Sequence, residues 1–217
     1  MIKDLRLRIF LITTLLCLLF VMKFSFAQEK GFRGGIMLGA VASQVDGDCL
    51  SGFYKGGLQS GIFLTNRFNK NTGFMVEMKF IQKGSRSASF PSDSASSANL
   101  YTGRYYKLRL NYVEVPFLMN FYFKKKFMIE TGLGFAYLFQ AREDVDGYGF
   151  LAPSPAFKKF DFPVYFGFAY FPFEKFHIDF RYSYSTVAIR NHPANQTWYF
   201  DRGQYNNLLS FGMYLNI

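Results

Sequence analysis

Alternation of apolar and polar positions with a period of two organises nearly every apolar stretch after residue 31. Between Thr72 and Lys83, Phe74, Val76, Met78 and Phe80 alternate with Met75, Glu77, Lys79 and Ile81. Over residues 127–142, the row Phe127, Ile129, Thr131, Leu133, Phe135, Tyr137, Phe139 faces away from Glu130, Gly132, Gly134, Ala136 and Gln140. The same rhythm runs through residues 160–170, through Phe176–Ser185 and from Leu209 to Ile217. Successive strand side chains point to opposite faces, so each segment predicts a strand with one bulky apolar face and one small or polar face. Two Gly-rich segments, 31–43 and 55–67, alternate less cleanly. The eighth, 105–123, changes parity. Leu108, Leu110 and Tyr112 share one face, then Val113, Val115, Phe117, Met119 and Phe121 take the other, a slip of the kind a β-bulge produces.

The intervals between these segments alternate strictly in length. Residues 44–54, 84–104, 143–159 and 186–203 are long connections; 68–71, 124–126 and 172–175 are short. Short periplasmic turns with long external loops mark transmembrane β-barrels, whose strands need ~9–11 residues to cross the hydrocarbon. A secreted β-sandwich or lipocalin-like barrel would need polar outward residues on its edge strands, and few segments supply them. A helical span over 160–180 is interrupted by Pro163, Pro172, Glu174, Lys175 and Asp179. The expectation is an all-β, eight-stranded antiparallel up-and-down transmembrane barrel. With an even strand count, both mature termini are expected on the periplasmic side.

The beginning of the chain supplies the route. Lys3, Arg6 and Arg8 precede an apolar run over residues 9–22, and Ser25 and Ala27 stand at −3 and −1 of a cleavage site. A signal peptide over 1–27 and a barrel domain over 28–217 follow. Cys17 lacks the small preceding residue a lipoprotein signal wants, and Cys49 alone cannot form an internal disulfide. Composition then excludes two classes. With 50% hydrophobic and 21% aromatic residues, the chain is not a disordered one. The formal charge of +10 does not point to nucleic acid, because Lys124, Lys125 and Lys126, with Arg67 and Lys70, place much of it in short turns. Those turns suit anionic headgroups at the periplasmic rim. No basic face is interleaved with stacking aromatics, and no glycine loop is placed to cradle phosphate.

A barrel of about eight strands has room inside for side chains and little else. The inward set is expected to be Gln59, Glu77, Lys79, Arg109, Glu130, Gln140, His177, Asp179 and Arg181, with Glu114 pairing with Arg109 or another lumen cation. Charges of both signs held away from water should pair and plug the lumen. A narrow ion path is the alternative. Catalytic inventory is thin. Of the two histidines, His177 lies inward near a strand start, and His192 stands beside Pro193 in the last loop. Barrels that modify lipid A use His with Ser or Asp at the outer rim, but His192 with Asp201 or Ser185 forms no motif. Asp46-Gly47-Asp48 lacks the further ligands of a calcium loop and is expected to be a turn. No enzyme activity, cofactor or metal is expected.

One stretch carries a family resemblance. Gly34-Gly35-Ile36-Met37-Leu38-Gly39, Ser43-Gln44-Val45-Asp46-Gly47-Asp48 and Gly52-Phe53-Tyr54-Lys55 look like the opening of PorT-like outer-membrane β-barrel proteins of Bacteroidetes. Asn111-Tyr112-Val113-Glu114-Val115-Pro116-Phe117-Leu118 is similar to that group's Tyr-Leu-Glu-Ile-Pro-Leu-Leu segment, and Gly132-Leu133-Gly134 to its Gly-x-Gly strand. The resemblance implies an outer-membrane location and a part in type IX secretion. In that setting Asp93-Ser94-Ala95 matches a short O-glycosylation sequon at Ser94. The expected role is a structural or accessory envelope barrel. Its loops or periplasmic rim would contact a partner, with outer-membrane lipid and lipopolysaccharide around it. A secretion factor, a small-solute channel and a lipid A-modifying enzyme are the alternatives; the oligomeric state is left open.

Overall fold

The computed structural model describes residues 31–48, 50, 52–87, 105–124, 126–191 and 203–217. The expected signal peptide, Cys49, Ser94, Lys125, His192 and Asp201 lie outside the described residues. Nine strands follow in order: β1 (Phe32–Asp46), β2 (Lys55–Arg67), β3 (Thr72–Lys83), β4 (Tyr106–Phe123), β5 (Phe127–Val145), β6 (Phe160–Asp161), β7 (Pro163–Phe173), β8 (Phe176–Ser185) and β9 (Tyr205–Asn216). Each pairs antiparallel with its neighbours. β6 and β7 both lie against β5 and are two pieces of one stave, interrupted at Phe162. First and last strands close the circle over a ladder from Gly35↔Asn216 to Asp46↔Tyr205. The result is an eight-stranded antiparallel barrel. Among the described residues, no helix is long and apolar enough to cross a membrane.

All three short connections and both ends of the described chain lie at one end of the barrel, here the turn end; the long connections lie at the loop end. Between them the outer wall is a belt of large apolar side chains. Ile36 and Leu38 on β1, Ile62 on β2, Phe117 on β4, Leu133 on β5 and Phe166 on β7 are each half or more exposed. A closed ladder satisfies every backbone donor and acceptor without water, which makes such a belt viable in lipid.

Pro116 and Pro163 fit this ladder where it can do without them. The β3–β4 register lapses between Val76↔Phe117 and Lys79↔Glu114, so the nitrogen of Pro116 faces a gap and not a ladder bond. Pro163 opens β7 just after the break at Phe162. The expected bulge is present but on the other strand. β4 keeps one parity throughout, with Leu108, Leu110, Tyr112, Glu114, Leu118 and Asn120 all buried. β5 carries the extra residue, because Asn111 pairs with Gln140 while Tyr112 pairs with Leu138, leaving Phe139 unmatched. The apolar residues of β4 change face because their surroundings change, not because the strand slips.

Candidate functional site

The interior is layered. Nearest the turn end, Met37, Phe63, Met75, Leu118, Tyr165 and Tyr214 form an apolar cluster. Nearest the loop end, a larger cluster gathers Val41, Val45, Ile81, Leu108, Leu110 and Leu208 with Phe157 and Ile189, which come from the long connections. Charged groups occupy the space between.

Arg181 on β8 organises the first charged group. Its Nη1 and Nη2 donate to the two oxygens of Glu77 at 3.0 and 2.9 Å, and its Nε donates to Glu130. Asp179 Oδ1 lies 3.5 Å from the same Nε. Glu77 also accepts from the Tyr214 hydroxyl at 2.9 Å and stands 3.3 Å from the Lys79 ammonium. Lys83 organises the second group. It pairs with Glu114 and lies 3.4 Å from Asp161, while its ammonium sits 4.7 Å from the centre of the Tyr112 ring. Asp161 accepts from Ser185 Oγ and Asn206 Nδ2, each at 2.9 Å. Glu114 accepts from the Tyr165 hydroxyl at 3.2 Å. These groups are buried, and desolvated charges persist only where partners of this kind replace water.

Glycines on the inner wall make the room. A Cβ on Gly167 would come within 2.6 Å of Glu130 Oε1, and one on Gly134 within 2.7 Å of the Tyr165 ring. Small residues on the inward face therefore let long side chains lie flat across the lumen.

Of the expected inward set, Gln59, Glu77, Lys79, Glu114, Glu130, His177, Asp179 and Arg181 are buried inside. Arg109 and Gln140 are not. Both are exposed on the outer wall, Arg109 with its guanidinium 4.3 Å from the centre of the Phe150 ring, and Gln140 accepting from Asn111 Nδ2 at 2.7 Å. Gln140 turns outward because it follows the Phe139 bulge. Arg109 does so because Leu108 and Leu110 take the interior at that height. Lys83, Asp161, Asn206 and three tyrosines complete the network without having been expected in it. Lys83 shares the parity of Glu77 and Lys79, so following that row to its end would have found it.

The two mouths differ. At the loop end Arg190 clamps the connections: its Nε donates to Gln204 at 2.7 Å, its Nη2 to Glu143 at 3.2 Å, and its guanidinium lies 4.1 Å from the Phe157 ring centre. At the turn end a cavity of about 460 Å³ is lined by Arg33, Arg67, Asn120, Tyr122 and His177 among others. The imidazole of His177 is stacked between Tyr214 and Phe171, at 4.5 and 4.7 Å, and neither ring nitrogen has a hydrogen-bond partner. Lys124 and Lys126 are exposed in the β4–β5 turn, Lys124 with a positive φ of 48°. Among the described residues no group of three or more His, Cys, Asp or Glu is placed to hold a metal.

No curated protein sequence matches the chain. Among solved structures it is similar to Neisserial surface protein A, at 13% identity and a TM-score of 0.51, covering 85% of this chain and 97% of that one. It is also similar to Ail, the attachment invasion locus protein of Yersinia pestis, at 15% identity and a TM-score of 0.47, covering 87% and 100%. A family profile described as "Outer membrane protein beta-barrel domain" matches residues 26–186, and the chain belongs to that family.

Proposed function

We propose that the protein is a non-conducting, non-enzymatic outer-membrane barrel with a structural or accessory role in the envelope, acting through its loops and rims. One observation carries this reading: the lumen is filled through its middle and at its loop end, and the cavity at the turn end stops at that filling. Two apolar clusters sandwich the Arg181 and Lys83 ion pairs, and Arg190 ties Gln204 and Phe157, from two of the long connections, to Glu143 on β5. An ion path would require desolvated pairs to separate with nothing to replace their partners. The loop end then faces outward and the turn end, with Lys124 and Lys126, the periplasm. Planar-bilayer recording of the purified protein tests the closed lumen. Absence of unitary steps is expected, and resolved single-channel conductance overturns the reading. The non-enzymatic part predicts an unchanged lipid A mass in a strain lacking the gene; a shift that depended on His192 would overturn it.

A second reading, accessory factor in type IX secretion, is supported by the PorT-like segment 111–118. The side chains of its Tyr112, Glu114 and Pro116 are directed inward, so the motif acts on the barrel's own packing and any partner must meet other residues. Loss of cargo from the secreted proteome on deletion would favour this reading over a purely structural one.

A further inference from the structure

The outer wall changes character one pleat beyond the apolar belt at the loop end. On β4 the outward row runs Phe117, Val115, Val113, Asn111 and then Arg109 and Lys107. Cross-strand pairing sets Arg142 beside Arg109, and an isolated bridge sets Arg86 beside Lys107. Lys55 joins them at a groove of about 410 Å³, which Tyr54, Gln82, Arg86, Lys107 and Arg109 also line. The groove opens where the β2–β3 ladder ends at Gln59↔Ile81. Among the described residues, Lys55, Lys107 and Arg109 form no ion pair with a carboxylate. The nearest acid in the register is Asp144, opposite Lys107, and its Oδ1 accepts from Gly149 N at 3.1 Å. The Phe150 ring backs the cations, 4.3 Å from Arg109 and 5.6 Å from Lys107.

We propose that this outward groove binds a phosphate group on the headgroup of a phosphorylated glycolipid in the outer leaflet. Three features select that ligand. Guanidinium forks match phosphate oxygens in pairs, and two or more cations without a carboxylate partner leave the charge uncompensated until an anion arrives. Gln82, Lys107 and Arg109 stand on the outward rows of β3 and β4, while Lys55 is buried at the groove's inner edge, so an occupant meeting Arg109 and Lys107 approaches from the lipid side of the wall. The belt lies directly below: Val113 is four residues from Arg109, or ~14 Å along a strand. An occupant therefore has acyl chains on the belt while its phosphate meets Arg109 and Lys107. A soluble anion has nothing to place on the lower part of this surface.

The proposal rests on the loop end facing outward, and binding in detergent is measured without that assumption. The refolded full-length barrel would be titrated in micelles with diphosphoryl lipid A, with its dephosphorylated form and with inorganic phosphate. Retention would be read by native mass spectrometry. Diphosphoryl lipid A is expected to be retained, with at least a tenfold loss in the Arg109→Gln/Lys107→Gln double variant. A Lys124→Gln/Lys126→Gln control at the turn end is expected to bind as the parent does. Arg109, Lys124 and Lys126 are exposed and Lys107 half-buried, and retained heat-modifiable mobility on gels would verify that each variant still folds. Equal retention of the dephosphorylated lipid, or no loss in the double variant, overturns the site. Binding of inorganic phosphate as tight as that of the lipid overturns the lipid as its source. Protease access to the long loops in intact cells reports the orientation separately.

Discussion

Two stretches of β4, a few residues apart, solve opposite problems with one strand parity. From Glu114 to Asn120 the inward side chains include a carboxylate and an amide, and the outward ones are Val115, Phe117 and Met119. From Lys107 to Tyr112 the inward side chains are Leu108, Leu110 and Tyr112, and the outward ones include Lys107 and Arg109. The first stretch is a membrane barrel, greasy outside and polar within; the second is built like a soluble barrel with an apolar core. Hydrophobic residues face whichever side lacks water. The exchange of sides therefore marks where lipid gives way to water. The β5 bulge at Phe139 and the capping residues Phe157 and Ile189 fall at the same boundary or above it.

Exchanging residues between the halves tests this contrast. The largest effect is expected from Arg181→Met, which leaves Glu77, Glu130 and Asp179 without their shared partner and should cost ~3–5 kcal/mol in denaturant unfolding of the refolded barrel. A loss below about 1 kcal/mol would show that the charged layer is hydrated and not a plug. In the upper half Leu110→Ala should behave as a core truncation in a soluble protein, at ~2–5 kcal/mol, because Leu110 is fully buried. A near-neutral result would mean that the upper interior is wet.

A reciprocal pair on the outer wall comes next. Phe117→Arg is expected to cost ~2–4 kcal/mol in lipid, whereas Arg109→Leu should stay within about 0.5 kcal/mol. Equal costs would erase the boundary drawn between these two positions.

The smallest effect concerns Asp48, in the first long connection. Burial pushes its carboxyl from an ordinary 3.8 up to about 6, with Asp46 adding to the rise. The folded chain thus holds the proton more tightly than the unfolded one. The stability this gives is fully present below about pH 3.8 and is lost as pH rises through about 6. Asp48→Asn should flatten the unfolding midpoint across that interval, and an unaltered pH profile would remove Asp48 as the cause.

Strand positions, the apolar belt and the alternation of short and long connections were legible in the sequence because each depends on neighbours along the chain. So was most of the inward charge, since Glu77 and Lys79 on one row and Asp179 and Arg181 on another stand out against greasy partners. Gln140 was misplaced because the Phe139 bulge shifts its face, and Arg109 for a different reason. A reading by periodicity assumes one solvent along the whole strand, and β4 and β5 run out of the lipid before they end. Leu108, Leu110 and Tyr112 then look like a slipped belt when they are a core. The partners of Lys83 could not be read at all, because Glu114 and Asp161 come from two other strands and periodicity carries no information across the lumen. Phe157 and Ile189 lie in connections without any repeat.

The distribution of the central charges along the chain also orders its assembly. Arg181 follows Glu77 by 104 positions and Glu130 by 51, and the ladder between β1 and β9 joins the two ends of the sheet. A sheet of β1 to β5 alone holds Glu77 and Glu130 without Arg181, which only β8 brings against them. Partial sheets therefore carry charge that lipid rejects, and contacts between residues so far apart form slowly. Neutralisation and closure arrive together with the last strands. Entry into the hydrocarbon is thereby tied to completion of the ring: water holds the unfinished hairpins, and the membrane accepts the barrel as a whole.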